Sequence, residues 1–283
     1  MKYGLVRKLL DGQALSFVDV GCAFGLPAGF DKVASFISFH GFDPFSDGDR
    51  LDNRNYDNTK EFTITNKAIW SHSGTKSFYV AKKTACSSLL EPNIEFASRF
   101  GMADKLKVEK IIDVELTTID ECCHIYDYLK VDAQGGAYEV LLGARETLVQ
   151  SLMVEVEAEF YELYKGQKKA GDIIEFMDRE GFVFSGFKDL KYLSGGFRRN
   201  STFLGYADLC FYNANILKHL DDKRLKKAIA LGVITDSLTL LNILEPIIRD
   251  KKVVSSGIGR GIKRYKKYLA LKERIGRRAG IPS

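Results

Sequence analysis

The sequence predicts an α/β fold: a mostly parallel, doubly wound sheet with helices on both faces, followed by a helical carboxyl-terminal extension. Three observations lead there. Short apolar runs recur that end in a glycine or an acid, strand and helix patterns alternate as far as Tyr212, and the strand signal stops from Asn213 onward. The 283 residues suffice for one large domain or for a domain with an extension, and the expected boundary divides 1–213 from 214–283. A composition of 45% hydrophobic and 28% charged residues is that of a soluble globular protein with a sizeable core.

The first run, with Phe17, Val18 and Val20, ends at Gly21, and Gly25 follows four residues later. It reads as a buried strand turning sharply into a helix, with Asp19 near the strand's carboxyl end. Residues 36–42 form the next strand, ended by Asp43, and the polar stretch 46–60 reads as a helix start and loop. Residues 62–70 alternate in strand fashion, 71–75 form a turn and 76–80 a returning strand, so a hairpin is expected. A helix is expected from the Glu91-Pro92-Asn93 break to about Met102, a strand over 108–116 and a helix start over 118–121.

Residues 128–132 are a buried strand ending in Asp132. Gln134, Gly135 and Gly136 then turn the chain into a helix with Ala137, Val140, Leu141, Ala144 and Leu148 on one face. In the next strand, 152–159, Glu155, Glu157 and Glu159 alternate with Val154, Val156 and Ala158. Carboxylates on a covered sheet are costly to bury unless paired, so these acids are expected to open into the crevice. A helix over 171–180, antiparallel strands over 182–187 and 208–212, and helices over 216–227, 235–248 and 262–278 complete the reading.

No apolar run approaches the length of a membrane span, and residues 1–15 contain no apolar core of signal-peptide length. The first strand is expected to begin almost at once. Five cysteines without paired spacing read as reduced cytoplasmic thiols. Cys122, Cys123 and His124 lack a second cluster to complete a four-ligand set, so no metal is assigned. Charge is unevenly placed: residues 251–283 hold eleven basic residues and one acid, whereas the chain as a whole carries +5. Two readings of this tail stand side by side. It attaches the protein peripherally to anionic membrane, at its inner face, or to an acidic glycan; or it is a basic helix packing one apolar stripe, with Ile262, Tyr265, Leu269 and Ile275, on the domain. Nucleic acid is not expected, because the basic residues are confined to the tail.

The strand tips point to a cofactor. Ligands of open α/β sheets bind outside the carboxyl ends of the strands, and a carboxylate such as Asp43 can accept hydrogen bonds from the two hydroxyls of a ribose. The Gly-x-x-x-Gly spacing of Gly21 and Gly25 lacks the middle glycine of a dinucleotide site, which argues against a nicotinamide oxidoreductase. Asp-x-Gly-x-x-x-Gly with a second acid after the next strand is the usual pattern for S-adenosylmethionine. Asp19 would then receive the ammonium, directly or through water, and the glycine turn would accommodate the carboxylate.

Further segments carry a resemblance. They are Gly-Phe-Asp-Pro (41–44), Asn-Lys-Ala-Ile-Trp (66–70), Ser-Ser-Leu-Leu-Glu-Pro-Asn (87–93), Thr-Thr-Ile-Asp-Glu (117–121), Leu-Lys-Val-Asp-Ala-Gln-Gly (129–135) and Val-Glu-Val-Glu-Ala-Glu-Phe (154–160). In this order, with the glycine turn, they resemble the FkbM family of S-adenosylmethionine-dependent methyltransferases over about residues 17–212. The resemblance implies a Rossmann-like class I methyltransferase fold with a seven-stranded sheet. It also implies methyl transfer to a hydroxyl, often on sugars of secreted polysaccharides or on natural products. Carried onto this chain, it assigns the cofactor to Asp19, Gly21, Cys22, Gly25, Asp43, Ala68, Ser88 and Asp132. Asp132 and Glu157 become the base or acceptor-orienting pair, unless they are merely paired with Lys130 or Lys165. Gln134, Tyr161, Tyr164 and Gln167 become candidates for the acceptor. Ala23 stands where the family usually has Asn, which leaves a second reading: a non-catalytic cofactor- or glycan-binding protein on the same fold.

Overall fold

The computed structural model describes residues 2–22, 25–44, 58–194, 202–251 and 254–278. Among them are ten strands: β1 (Leu15–Val20), β2 (Ile37–Phe42), β3 (Glu61–Thr65), β4 (Ala68–Ile69), β5 (Gly74–Ala81), β6 (Val108–Thr117), β7 (Tyr128–Val131), β8 (Met153–Glu159), β9 (Phe182–Ser194) and β10 (Thr202–Asn213). Seven form one sheet in the order β3-β2-β1-β7-β8-β10-β9. The first five strands in that order are parallel, and β10 runs antiparallel between β8 and β9. Parallel neighbours need crossovers, which is why strands and helices alternate in the sequence. The strand order reverses at β1, which pairs with β2 on one side and β7 on the other, and a crevice opens at such a switch point.

Period-two alternation decides the two faces. Leu15, Phe17, Ile37, Phe39, Tyr128 and Met153 pack on one side, with Phe17 5.0 Å from Tyr128 and 4.9 Å from Phe30, ring centre to ring centre. The amino-terminal helix Lys2–Leu10 and the helices Asp222–Ile234, Leu238–Lys251 and Ser256–Arg278 share that core. Val18, Val20, Leu129, Val131, Val154 and Val156 face the opposite side, under the helices Ala137–Leu142, Arg145–Gln150 and Ala170–Arg179.

Several expectations need correction. The segment before the first strand is a helix, with Leu5, Val6, Leu9 and Leu10 buried. The glycine turn leads into the short 3-10 helix Asp31–Phe36, not directly into an α-helix. No hairpin joins 62–70 to 76–80. Instead β3 extends the large sheet, while β4 and β5 flank β6 in a second sheet, parallel and antiparallel to it respectively. Alternation reveals a strand but not its partner. The stretch 91–102 gives only the short helix Ile94–Ser98, with a second, Ala103–Leu106, just beyond it, and the helix after Gly136 breaks at Gly143. Most of the polar stretch 46–60 lies outside the described residues. Among the described residues no helix is long and apolar enough to cross a membrane.

Candidate active site

Three strand tips meet at the switch point. Val20 is in register with Phe42 and Val131. Just beyond, the Gly21 amide donates to the Phe42 carbonyl at 2.8 Å and the Asp132 amide to the Val20 carbonyl at 2.9 Å. The chain turns at Gly21 with φ +82°, where a Cβ would stand 2.1 Å from the Asp132 carbonyl oxygen. Only glycine lets this turn pass so close to the end of β7. Above it lies a cleft of about 250 Å³ whose lining includes Gly21, Asp43, Ala68, Ser87, Asp132 and Gln134.

The floor of the cleft continues into a network of carboxyl groups. Asp132 and Glu157 project from neighbouring strands, and the Gln134 side-chain amide donates to both, to Asp132 Oδ1 and Glu157 Oε1, each at 2.7 Å. Gln134 holds this position with φ +44°, a left-handed conformation rare outside glycine. Its turn is clamped from three sides. Ser88 Oγ donates to the Gln134 carbonyl at 2.7 Å, the Tyr164 hydroxyl lies 3.1 Å from Gln134 Oε1, and the Tyr164 ring occupies the space a side chain at Gly135 would need.

Burial, and next the charge of Asp132, push the Glu157 pKa far above the ordinary carboxylate range, and a hydrogen bond joins the two carboxyl groups. At neutral pH Glu157 therefore holds a proton. Lys130 lies 3.8 Å from Asp19 and 3.9 Å from Asp132. Burial alone would lower its pKa, but Asp19 and then Asp132 outweigh that and keep it an ammonium. Asp19 Oδ1 is buried without a hydrogen-bond partner among the described residues, and desolvation, opposed by Lys130, raises its pKa to about 7. Among the described residues no group of three or more His, Cys, Asp or Glu side chains is arranged to hold a metal ion.

The candidate residues fall into two groups. Gly21, Asp43, Ala68, Asp132 and Gln134 line the cleft, and Glu157 adjoins it through Gln134. Asp19 lies behind the tips beside Lys130, and Cys22 points into the core, while Gly25, at φ +79°, follows two residues outside the described set. Ser88 braces the Gln134 turn and leaves the wall to Ser87.

Tyr164 and Gln167 are buried: Gln167 Oε1 accepts from the Tyr164 amide at 2.6 Å, and its Nε2 donates to Glu159 at 3.1 Å. Tyr161 packs in an aromatic group with Phe96 and Phe100. The acidic strand does not open as a row. Glu155 is sealed by the Tyr128 hydroxyl at 2.6 Å and Lys188 at 3.1 Å, and Glu159 by Gln167, so only Glu157 reaches toward the cleft. Lys165 pairs with Glu91 instead of with the central acids. Sequence reasoning missed Lys67 and Thr84 in the lining and Asp208 behind it. Lys67 immediately precedes β4 and Thr84 opens the 3-10 turn after β5; only Lys67 had a local signal, its place beside Ala68 in the Asn-Lys-Ala-Ile-Trp segment.

The cleft fits S-adenosylmethionine. An acid stands at the β2 tip, Gly21 lines the cleft beside it without a side chain to block backbone approach, and a buried carboxylate oxygen behind them lacks a donor among the described residues. The family model for the methyltransferase FkbM domain matches residues 25–184. None of the curated proteins matches the chain. Among solved structures it is similar to a TehB-like SAM-dependent methyltransferase from Corynebacterium glutamicum, at 12% identity and a TM-score of 0.33 over 74% of this chain and 87% of that one. It is likewise similar to the N-methyltransferase NodS from Bradyrhizobium japonicum, at 12% identity and a TM-score of 0.33 over 75% and 93%. The family match spans more than half of the chain and contains the tips of β2 and β7 with the whole of β8. This chain therefore belongs to the FkbM family of methyltransferases, and its cofactor is S-adenosylmethionine.

Proposed function

We propose that this enzyme methylates a hydroxyl oxygen of a carbohydrate, a surface polysaccharide or glycan precursor, on the cytoplasmic side of the membrane. The observation that carries this reading is the Asp132–Gln134–Glu157 arrangement at the edge of the cleft. S-adenosylmethionine supplies an activated methyl group. What the chain must add is an oxygen held in line and a place for its proton. Asp132 is the acceptor of that proton, and the Gln134 amide keeps its carboxylate aimed. Protonated Glu157 stabilises the Asp132 carboxylate through their shared hydrogen bond, and both acids offer oxygens to neighbouring sugar hydroxyls. For the cofactor, Asp43 takes the ribose hydroxyls and the turn at Gly21 and Gly25 takes the methionine carboxylate. Ala68 lies against the cofactor, and Asp19 with Lys130 sets the charge behind the methionine end.

Transfer of labelled methyl to cell-envelope glycans, with the product located by mass spectrometry, tests the reading. Asp132→Asn is expected to lower kcat, measured at saturating cofactor, by about 10²–10⁴-fold. An unchanged kcat, or label found on nitrogen, would count against it.

A further inference from the structure

The helix Ser256–Arg278 carries nine basic residues and one acid, Glu273. The structure divides its apolar residues between two sides. Ile262, Tyr265 and Leu269 point into the core beneath the sheet. The Tyr265 hydroxyl bonds to Asp236, whose carboxylate also takes Lys2 at 2.6 Å and lies 3.8 Å from Lys272, and Lys266 pairs with Glu245. This side is docked, and its charges are met.

Tyr268, whose ring stacks on Tyr265, and Leu271 and Ile275 face outward, away from the core of the described residues. They are 52%, 56% and 58% exposed, at intervals of three and four that place them on one outward stripe. Arg260, Arg264, Lys267 and Arg274 are exposed around that stripe, and none of them makes an ion pair with the described residues. Packing on the domain accounts for the inner residues and leaves the outward apolar surface of Tyr268, Leu271 and Ile275 unexplained. A nucleic acid would use the charges and ignore the stripe. A second copy of the helix would set like charges against each other. An anionic bilayer uses both, because apolar side chains bury at the headgroup boundary while lysine and arginine meet lipid phosphates.

We propose that the outer face of this helix is a peripheral membrane-binding surface that lies in the plane of an anionic bilayer. It rests on the methyltransferase reading only for its purpose, which is to hold the cleft near a membrane-borne acceptor. Its test needs neither cofactor nor acceptor. The full chain is sedimented with phosphatidylcholine vesicles, with and without about one-third phosphatidylglycerol, at low and high salt. Binding is expected on the anionic vesicles only, weakened by salt. It should fall by about tenfold or more in the double variant Leu271→Ser/Ile275→Ser, whose exposed sites leave circular dichroism and cofactor binding unchanged. Wild-type binding by the serine variant, equal binding to neutral vesicles, or retention on a soluble acidic polysaccharide with none on vesicles would overturn the proposal. Vesicle binding that persists without any methyl transfer supports this surface and overturns the acceptor reading alone.

Discussion

Gly21 sits where β1, β2 and β7 converge, and the geometry there leaves no room for even one carbon. Gly21→Ala must accept both a left-handed backbone and a Cβ 2.1 Å from the Asp132 carbonyl oxygen. The turn and the end of β7 would separate, at a cost of about 3 kcal/mol. Chemical denaturation and calorimetry should show lower stability together with lost cofactor binding. Retention of both would contradict the tight turn. At this scale the sequence was informative wherever a residue type answers to one requirement. Glycine at a strand tip and an acid after the next strand are such cases, and Gly21 and Asp43 do line the cleft. It was less informative for residues with two plausible partners. Nothing local distinguishes a Ser88 that braces a turn from one that lines a wall, or a Tyr164 that faces sugar from one that fills the gap over Gly135.

Between elements, polar contacts lock the layers. Asp127 enters β7 from a buried position, where its carboxylate accepts from the Ser16 amide at 2.9 Å and from Lys227 at 2.7 Å. Lys227 lies on the helix Asp222–Ile234, so the pair ties that helix to the ends of β1 and β7. Lys227→Met would strand a buried carboxylate, and a loss of about 3 kcal/mol is expected in urea unfolding. Lys227→Met with Asp127→Asn should recover part of it; equal losses in the single and double variants would argue against the pair. Strands and helices were mostly legible because burial on one face imposes a period of two or 3.6. Partners were not legible, as the small sheet shows, because the same alternation suits a hairpin or two separate sheets.

Across the whole molecule, acids gathered at the carboxyl ends of the strands give folding a characteristic pH response. Burial raises Asp19, Glu159 and Asp208 each to about 7. Carboxyls in the unfolded chain release their protons near pH 4. Between these values the folded state binds more protons, so this contribution to stability is complete below about pH 4 and is lost as pH rises to about 7. Glu159→Gln removes one such group and lets the Gln167 contact be remade. Its Tm relative to the parent should climb from pH 5 to pH 8, by the equivalent of about 2 kcal/mol. A difference that stays flat would show that Glu159 titrates normally.

The chain by itself determined the α/β class, the glycine turn, the acid at the second strand tip and the family, because each depends on residue types within a few positions of one another. Only the tertiary structure decided that the helices after Asn213 share a core with β1, β2 and β7, and that of three alternating glutamates one alone adjoins the cleft, through Gln134. Those outcomes depend on which distant surfaces meet. Burial, not local spacing, determines whether a carboxylate is sealed by a tyrosine and a lysine or left holding a proton beside the cleft.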